Sequence, residues 1–213
     1  KLSKRKMVIF VTCSDPRFII YLGKDKYENE DLIKWGFPND VWFHVDKFSS
    51  AHVYLRLPPD VTIDNIPKQV MQECLQLVKD GSKDGRKQER VSICYTPWSN
   101  LRKTQSMEIG EVGFKNEKEV HHIPNVTKDK DLLKKLMKTW VEKEVDLEKE
   151  RKAFDLEEKN KKKKAMEEQK KKEKEDAKKT DSNPINNIAY YIGFPSPDIA
   201  FDFNRYMNSL RLM

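Results

Sequence analysis

The sequence of 213 residues has few cysteines and no long apolar segment. Its three cysteines, Cys13, Cys74 and Cys94, are odd in number, lie far apart and form no CxxC pair. Neither a zinc site nor a disulfide framework is therefore expected, and we predict that all three are small buried side chains. No run of about 18 uncharged apolar residues is present, which is the length that a membrane-spanning helix requires.

Recognisable catalytic motifs are also missing. The sequence contains no GxSxG nucleophile elbow, no phosphate-binding loop and no HExxH zinc motif. His44 and His52 invite a metal or acid-base role, but no third ligand follows at a telling spacing. Hydrogen-bonded structural histidines are the favoured interpretation, and His121 and His122 are weaker candidates still. We therefore expect no catalytic residue, no metal, no cofactor and no enzymatic activity.

What the sequence does have is charge, and that charge is unevenly distributed. The 42 Lys and Arg exceed the 35 Asp and Glu, and a net charge of +7 favours polyanions such as nucleic acid or acidic membrane surfaces. Residues 127–181 hold 20 Lys and Arg and 16 Asp and Glu without any Gly or Pro, which predicts a long solvated helix. The predicted organisation is a basic N-terminal extension (1–6), one folded domain (7–126), a charged helical or coiled-coil segment (127–181) and a divergent C-terminal tail (182–213).

Short β-branched and aromatic runs mixed with amphipathic helices indicate an α+β domain, with a single mixed or antiparallel sheet and packed helices. The segment Asp40 to Arg56 alternates on both sides of Phe48, and this predicts a hairpin. The predicted cross-strand pairs are Asp40–Arg56, Trp42–Tyr54 and His44–His52. One face of the hairpin is expected to be core, and the other an exposed surface of aromatic, histidine and arginine side chains.

The turn that precedes this hairpin is the strongest candidate binding site. Lys24, Lys26 and Tyr27 follow a glycine at the end of a strand and lead into a helix, for which Asn29 is the predicted N-cap and Gly36 the stop. Backbone amides, two ammonium groups and an aromatic edge would converge where a phosphate could sit, although an isolated turn of this kind is more often only solvated. Further candidate contacts for stacking and phosphate binding are Trp42, His44, His52, Tyr54, Arg56, Trp98, Arg102 and Lys103.

The charged segment carries a weak heptad pattern. Leu133, Trp140, Leu147 and Phe154 recur every seven residues, but Met137 is the only apolar residue at the matching second position. A stable coiled coil needs both positions, so we expect at most self-association or a protein partner through residues 132–154.

Several stretches resemble the NFACT-R domain family. They are "GKDKYENEDLIKWGFPNDVWFHVDKFSSAHVYLRL" (23–57), "YTPWSNLRK" (95–103) and "GEVGF" (110–114). The block from Asp40 to His44 is the most specific element, and the resemblance extends over residues 7–181. The segment 182–213 does not resemble the polar, acidic tail of the family.

The resemblance implies an α+β domain that binds RNA, and larger relatives serve ribosome-associated quality control. A closer subfamily implies a more specific function, as a sensor of extracellular DNA that signals from the cell surface to adhesion and motility machinery. Its DNA-contacting loop matches Lys24, Asp25, Lys26, Tyr27 and Glu28. The resemblance thus implies membrane association and a plasma-membrane location. The alternative is an RNA-binding adaptor of the cytoplasm or nucleus, linked to translation.

Overall fold

A computed structural model of the chain describes the backbone of residues 5–181 and the side chains of residues 5–175. The predicted tail 182–213, and all of the predicted extension except Arg5 and Lys6, lie outside the described residues. The strands are β1 (Lys6–Val11), β2 (Ile19–Gly23), β3 (Asp40–Val45), β4 (Val53–Arg56), β5 (Val91–Pro97), β6 (Leu101–Arg102), β7 (Gly113–Phe114), β8 (His121–Val126) and β9 (Val141–Val145). The helices are α1 (Lys26–Trp35), α2 (Lys68–Asp80), α3 (Lys130–Met137) and α4 (Leu147–Asp181). The predicted α+β class is confirmed.

Seven strands form one antiparallel sheet in the order β8-β5-β3-β4-β2-β1-β9. The two short strands β6 and β7 pair separately. In the β3–β4 hairpin, Asp40 lies opposite Arg56 and Trp42 opposite Tyr54, which confirms the predicted register. Alternation fixes this register because a slip of one residue would exchange the two faces of the strand.

Both faces of the sheet are buried. One face is largely aliphatic, with side chains such as Val41, Phe43 and Leu55, and α2 and α3 cover it. The other face carries Tyr21, Trp42 and Tyr54 and is covered by α1 and the first residues of α4. The predicted exposed surface on this second face is therefore wrong, because two layers of helices enclose the sheet where the alternation had suggested one.

The charge pattern had predicted one continuous helix over residues 127–181, but these residues do not form one. α3 packs Leu133 and Leu136 into the aliphatic core, and β9 then adds to the edge of the sheet beside β1. Only Val145 of β9 is buried, so the composition of this strand gives little hydrophobic signal of its place in the sheet. The heptad residues consequently fall on different elements and make no single seam.

The chain divides into two compact units, of which the first ends at Asp155 and the second begins at Leu156. The described part of the second unit is the remainder of α4, a charged helix with ion pairs between neighbouring turns, such as that of Lys161 with Glu157 at 2.9 Å. Between residues 5 and 181, no helix combines the length and the apolar character needed to cross a membrane.

Candidate nucleic-acid interface

The turn that was predicted to grip a phosphate is the capped beginning of α1. Asp25, and not Asn29, is the N-cap, and its carboxylate accepts hydrogen bonds from the amides of Tyr27 at 2.8 Å and Glu28 at 3.0 Å. The Glu28 carboxylate in turn accepts the amide of Lys24 at 2.7 Å. Carboxylates of the chain thus occupy the backbone donors that were expected to meet a phosphate, as in a capping box. Anion binding at this turn depends on side chains.

Those side chains are exposed. Lys24, Lys26 and Tyr27 all face solvent, and Tyr27 is 56% exposed. The ammonium of Lys26 lies 5.5 Å from the centroid of the Tyr27 ring. The ammonium of Lys24 pairs with Glu142 of β9 at 3.2 Å, which partly neutralises it. An exposed ring beside a lysine can stack a base while the cation contacts the adjoining phosphate.

The structure places the segment of Lys103 beside this turn. The Lys103 ammonium pairs with Glu30 of α1 at 2.9 Å, and Glu30 also accepts the amide of Gly110 at 2.9 Å. Gly110 adopts φ +85° and lies against Lys26, where a Cβ would approach the Lys26 Cβ to 3.3 Å. The loop after Arg102 is therefore fastened beside the start of α1. Arg102 remains exposed, whereas the charge of Lys103 is compensated within the protein.

We define the α1 surface as the exposed side chains of Lys24, Lys26, Tyr27 and Arg102. It combines three cations with one aromatic ring. Asp25 and Glu28, which the resemblance also implied as DNA contacts, belong to the cap of the helix.

Three of the predicted contacts are buried, which corrects their expected exposure. Trp42, His52 and Tyr54 are 2%, 4% and 0% exposed. The Trp42 indole donates to Nδ1 of His52 at 3.0 Å, and the His44 ring stacks on Trp42 with centroids 5.3 Å apart. Burial lowers the pKa of His52 to about 3 and also lowers the pKa of His44. These rings are therefore uncharged packing groups at neutral pH, and the buried ones offer no face to a base.

Arg56 and Trp98 have structural partners. Arg56 donates to Asp40 at 2.9 Å, and its guanidinium lies 3.5 Å from the centroid of the Phe37 ring. The Trp98 indole donates to the carbonyl of Ile33 at 2.9 Å, and Arg151 of α4 lies over its ring. Both side chains hold elements of the fold together. Any contribution of either residue to binding would therefore come from the part of its side chain that remains exposed.

The structure also reveals cations that the sequence reasoning overlooked. Lys130, Lys134 and Lys138 recur at every fourth position along α3. This spacing is legible in "KDLLKKLMK", but the interpretation of that stretch rested on its leucines. Across the part of the chain with described side chains, no group of three or more His, Cys, Asp or Glu is placed to hold a metal ion.

Comparison with known proteins places these features in a family. The family model described as the NFACT protein RNA binding domain matches residues 6–116. "Coiled-coil domain-containing protein 25" of Danio rerio is 53% identical over 156 residues, which cover 72% of this chain and 75% of that protein. The "Coiled-coil domain-containing protein 25 homolog" of Dictyostelium discoideum is 50% identical over 153 residues, 72% of this chain and 74% of that protein.

A solved structure shares the fold at much lower identity. It is the C-terminal part of the fibronectin/fibrinogen-binding protein from Streptococcus suis, with a TM-score of 0.52 and 21% identity. The similarity covers 66% of this chain and 52% of that one. At this identity the likeness concerns the fold alone.

Proposed function

The chain belongs to the NFACT protein RNA-binding domain family, and on that premise we propose that it is a non-enzymatic module that binds nucleic acid through the α1 surface. The observation that carries the proposal is the position of Lys24, Lys26, Tyr27 and Arg102, all exposed and all within the matched segment. RNA is the ligand that the family description names.

Physical chemistry supports this assignment in two ways. Each lysine or arginine that contacts a phosphate releases condensed counterions, which favours binding at low salt. The exposed Tyr27 ring can stack one base, a contact worth about 1–3 kcal/mol that tolerates any sequence. Affinity should therefore fall steeply with salt and depend little on sequence.

The environments of the cysteines and of His52 support the proposal that the module is not an enzyme. Burial raises the pKa of Cys13 and of Cys94 to about 12, and it raises the pKa of Cys74 as well. A thiol with a raised pKa is a poor nucleophile at neutral pH because the thiolate is the reactive form. Nδ1 of His52 accepts a hydrogen bond from Trp42 and is not free to act as a base.

The finer proposal is that the nucleic acid is extracellular DNA, and that the chain acts as a receptor at the plasma membrane that signals to adhesion and motility machinery. The resemblance motivates it, since Lys24 to Glu28 match the DNA-contacting loop. The alternative is an intracellular RNA-binding adaptor linked to translation or ribosome-associated quality control; of these properties, the family description names RNA binding alone. Lysines and one stacking ring suit both polymers, so the ligand has to be measured.

The deciding experiment is competition among single-stranded RNA, single-stranded DNA and duplex DNA for the full chain at one fixed salt concentration. Preference for duplex DNA, together with antibody access to the protein on intact cells, would support the receptor. Preference for RNA, with co-sedimentation of the protein and ribosomes, would support the adaptor. No binding to any of the three at low salt would refute the proposed function.

Lys24→Gln with Lys26→Gln tests the site itself. Loss of two phosphate contacts should weaken binding to single strands and reduce the slope of log K against log salt by about 1.4. Lys83→Gln with Lys87→Gln removes the same charge at other exposed positions and serves as the matched control. Equal effects of the two pairs would mean that net charge, and not the α1 surface, governs binding.

A further inference from the structure

Helix α3 carries a row of lysines on one side. Lys130, Lys134 and Lys138 follow one another at intervals of four residues, so they lie about 6 Å apart along the helix axis. Together with Lys128 they line an open cleft of about 510 Å³, and Leu133 and Met137 provide the rest of its lining. Met137 is 46% exposed, so its apolar side chain is accessible in the cleft. We call this feature the α3 cleft.

The three lysines of the row differ from Lys128 in their pairing. Among the described side chains, no carboxylate lies within ion-pair distance of Lys130, Lys134 or Lys138, whereas Lys128 pairs with Asp80 at 2.8 Å. The acids of α3 are on another side, where Asp129 and Asp131 line a separate cleft. Lys135 lies on the side of these acids, whereas the described lining of the α3 cleft consists of lysines and apolar side chains without a carboxylate.

This flank is held on a rigid support. Leu133 and Leu136 anchor α3 in the aliphatic core. The segment that leads into the helix is fixed by Gln76, which donates to the carbonyl of Thr127 at 2.9 Å and accepts the amide of Asp129 at 2.8 Å. The lysine stems thus project from a backbone that needs no ordering when a ligand binds, which reduces the entropic cost of association.

The α3 cleft contrasts with the α1 surface in available charge. Lys24 is paired with Glu142, and the nearby Lys103 is paired with Glu30. A cation that is already paired within the protein releases fewer counterions when a phosphate replaces its partner. The unpaired row on α3 should therefore contribute more to polyanion binding, charge for charge.

We propose that the α3 cleft is a second binding site for nucleic acid, which holds the phosphate backbone of a single strand through Lys130, Lys134 and Lys138. The exposed Met137 contacts the apolar faces of the sugars or bases between phosphates. The site lies outside the matched segment 6–116, so it extends the binding surface beyond that of the family model. This inference rests on the proposed function and names a further part of its interface.

The test is the triple variant Lys130→Gln, Lys134→Gln, Lys138→Gln in the full chain, titrated with labelled oligouridine between about 50 and 200 mM salt. Glutamine has nearly the helix propensity of lysine, so α3 should persist and circular dichroism should be unchanged. Loss of three phosphate contacts should lower the salt slope by about 2 and weaken binding on the order of 100-fold at 0.1 M salt. The matched control is Lys83→Gln, Lys87→Gln, Lys118→Gln, which removes equal charge from exposed positions.

The outcomes separate this inference from the function on which it rests. If the triple variant binds as tightly as the wild type, or if the control variant loses as much affinity, the α3 cleft is not a binding site. The proposed function would still stand. A wild-type chain that binds neither RNA nor DNA at low salt overturns both. Vesicles of phosphatidylserine and phosphatidylcholine form the remaining arm, and a triple variant that loses vesicle binding but keeps RNA binding would assign the cleft to an anionic membrane instead.

Discussion

The two faces of the seven-stranded sheet are both buried, but different kinds of interaction stabilise them. The aliphatic face is sealed mainly by apolar side chains such as Leu75 of α2, and the few polar groups that this helix buries, such as Glu73 and Lys79, are hydrogen-bonded at its margins. The opposite face buries Asp40, Tyr21 and Trp42, each of which has a polar atom to satisfy. These polar atoms are hydrogen-bonded within the face itself, because Tyr21 and Arg56 both donate to Asp40 and Trp42 donates to His52. One strand can thus serve two cores, of which one depends mainly on packing and the other also on buried hydrogen bonds.

The largest effect should come from the ionic centre of the polar face. Asp40→Ala leaves the Arg56 guanidinium and the Phe37 amide without their acceptor, and both lie in a buried setting. Breaking a buried ion pair by removing one partner should lower the free energy of unfolding by about 4 kcal/mol, measured by urea denaturation. Adding Arg56→Met to Asp40→Ala should restore part of the loss, since no unpaired charge then remains. A single variant within about 1 kcal/mol of wild type would contradict the comparison.

The aliphatic face should respond to the loss of volume alone. Leu75 is fully buried between α2 and the sheet, so Leu75→Ala should cost about 3 kcal/mol through lost transfer energy and a cavity. The same urea denaturation at pH 5 and pH 8 should give an equal loss, because no ionisable group is involved. A loss that varies strongly with pH would show that the two faces are energetically coupled.

Acid should weaken the polar face selectively. The pKa of His52 is lowered to about 3 by burial, so between that value and its ordinary value of 6.5 the unfolded chain binds more protons than the folded one. Stability therefore falls as pH drops through this window, by about 2 kcal/mol from His52 at pH 5 relative to neutral pH. His52→Asn keeps an acceptor for Trp42 and cannot titrate, so its unfolding free energy should change less over this interval. Parallel pH profiles for the two proteins would refute the assignment.

The smallest effects should separate two tyrosines that stack on each other in the same core. The hydroxyl of Tyr21 donates to Asp40, whereas the buried hydroxyl of Tyr54 has no hydrogen-bond partner among the described residues. Tyr21→Phe should cost about 1.5 kcal/mol, and Tyr54→Phe should be close to neutral. Thermal unfolding of both variants under identical conditions checks the difference. Equal losses would mean that the two hydroxyls are equally well satisfied in solution.

The sequence predicted the hairpin register because alternation constrains it tightly. It could not predict that Trp42 and Tyr54 are buried, since an aromatic and polar face looks the same whether helices or solvent cover it. α1 begins one turn earlier than predicted because Asp25 and Asn29 are both good N-cap residues, and in the structure Asp25 caps the helix while Asn29 is buried within it. A Cβ at Gly23 would collide with the Asn29 side chain, which is tucked beneath the strand.

The candidate site was predicted in part. Exposed lysines at Lys24 and Lys26 were expected, but the pairing of Lys24 with Glu142 was not, because the sequence of β9 resembles that of a charged helix. The segment "VEKEV" buries only its last residue, so hydrophobic patterning gives it no strand signal. Such an edge strand is specified by its partner β1 and by the short link from α3, and neither is local information.

The pairing of β1 with β9 also sets the order in which the molecule can assemble. Lys6 lies opposite Val145, so strands from the two ends of the first compact unit meet at one edge of the sheet. Contacts between residues so distant along the chain form late and slow folding, because a long loop must close before they are gained. During synthesis, β1 must therefore wait with one edge uncovered until β9 has emerged from the ribosome. An uncovered strand edge can pair with another chain, so β1 is a site of self-association in the nascent chain until β9 covers it.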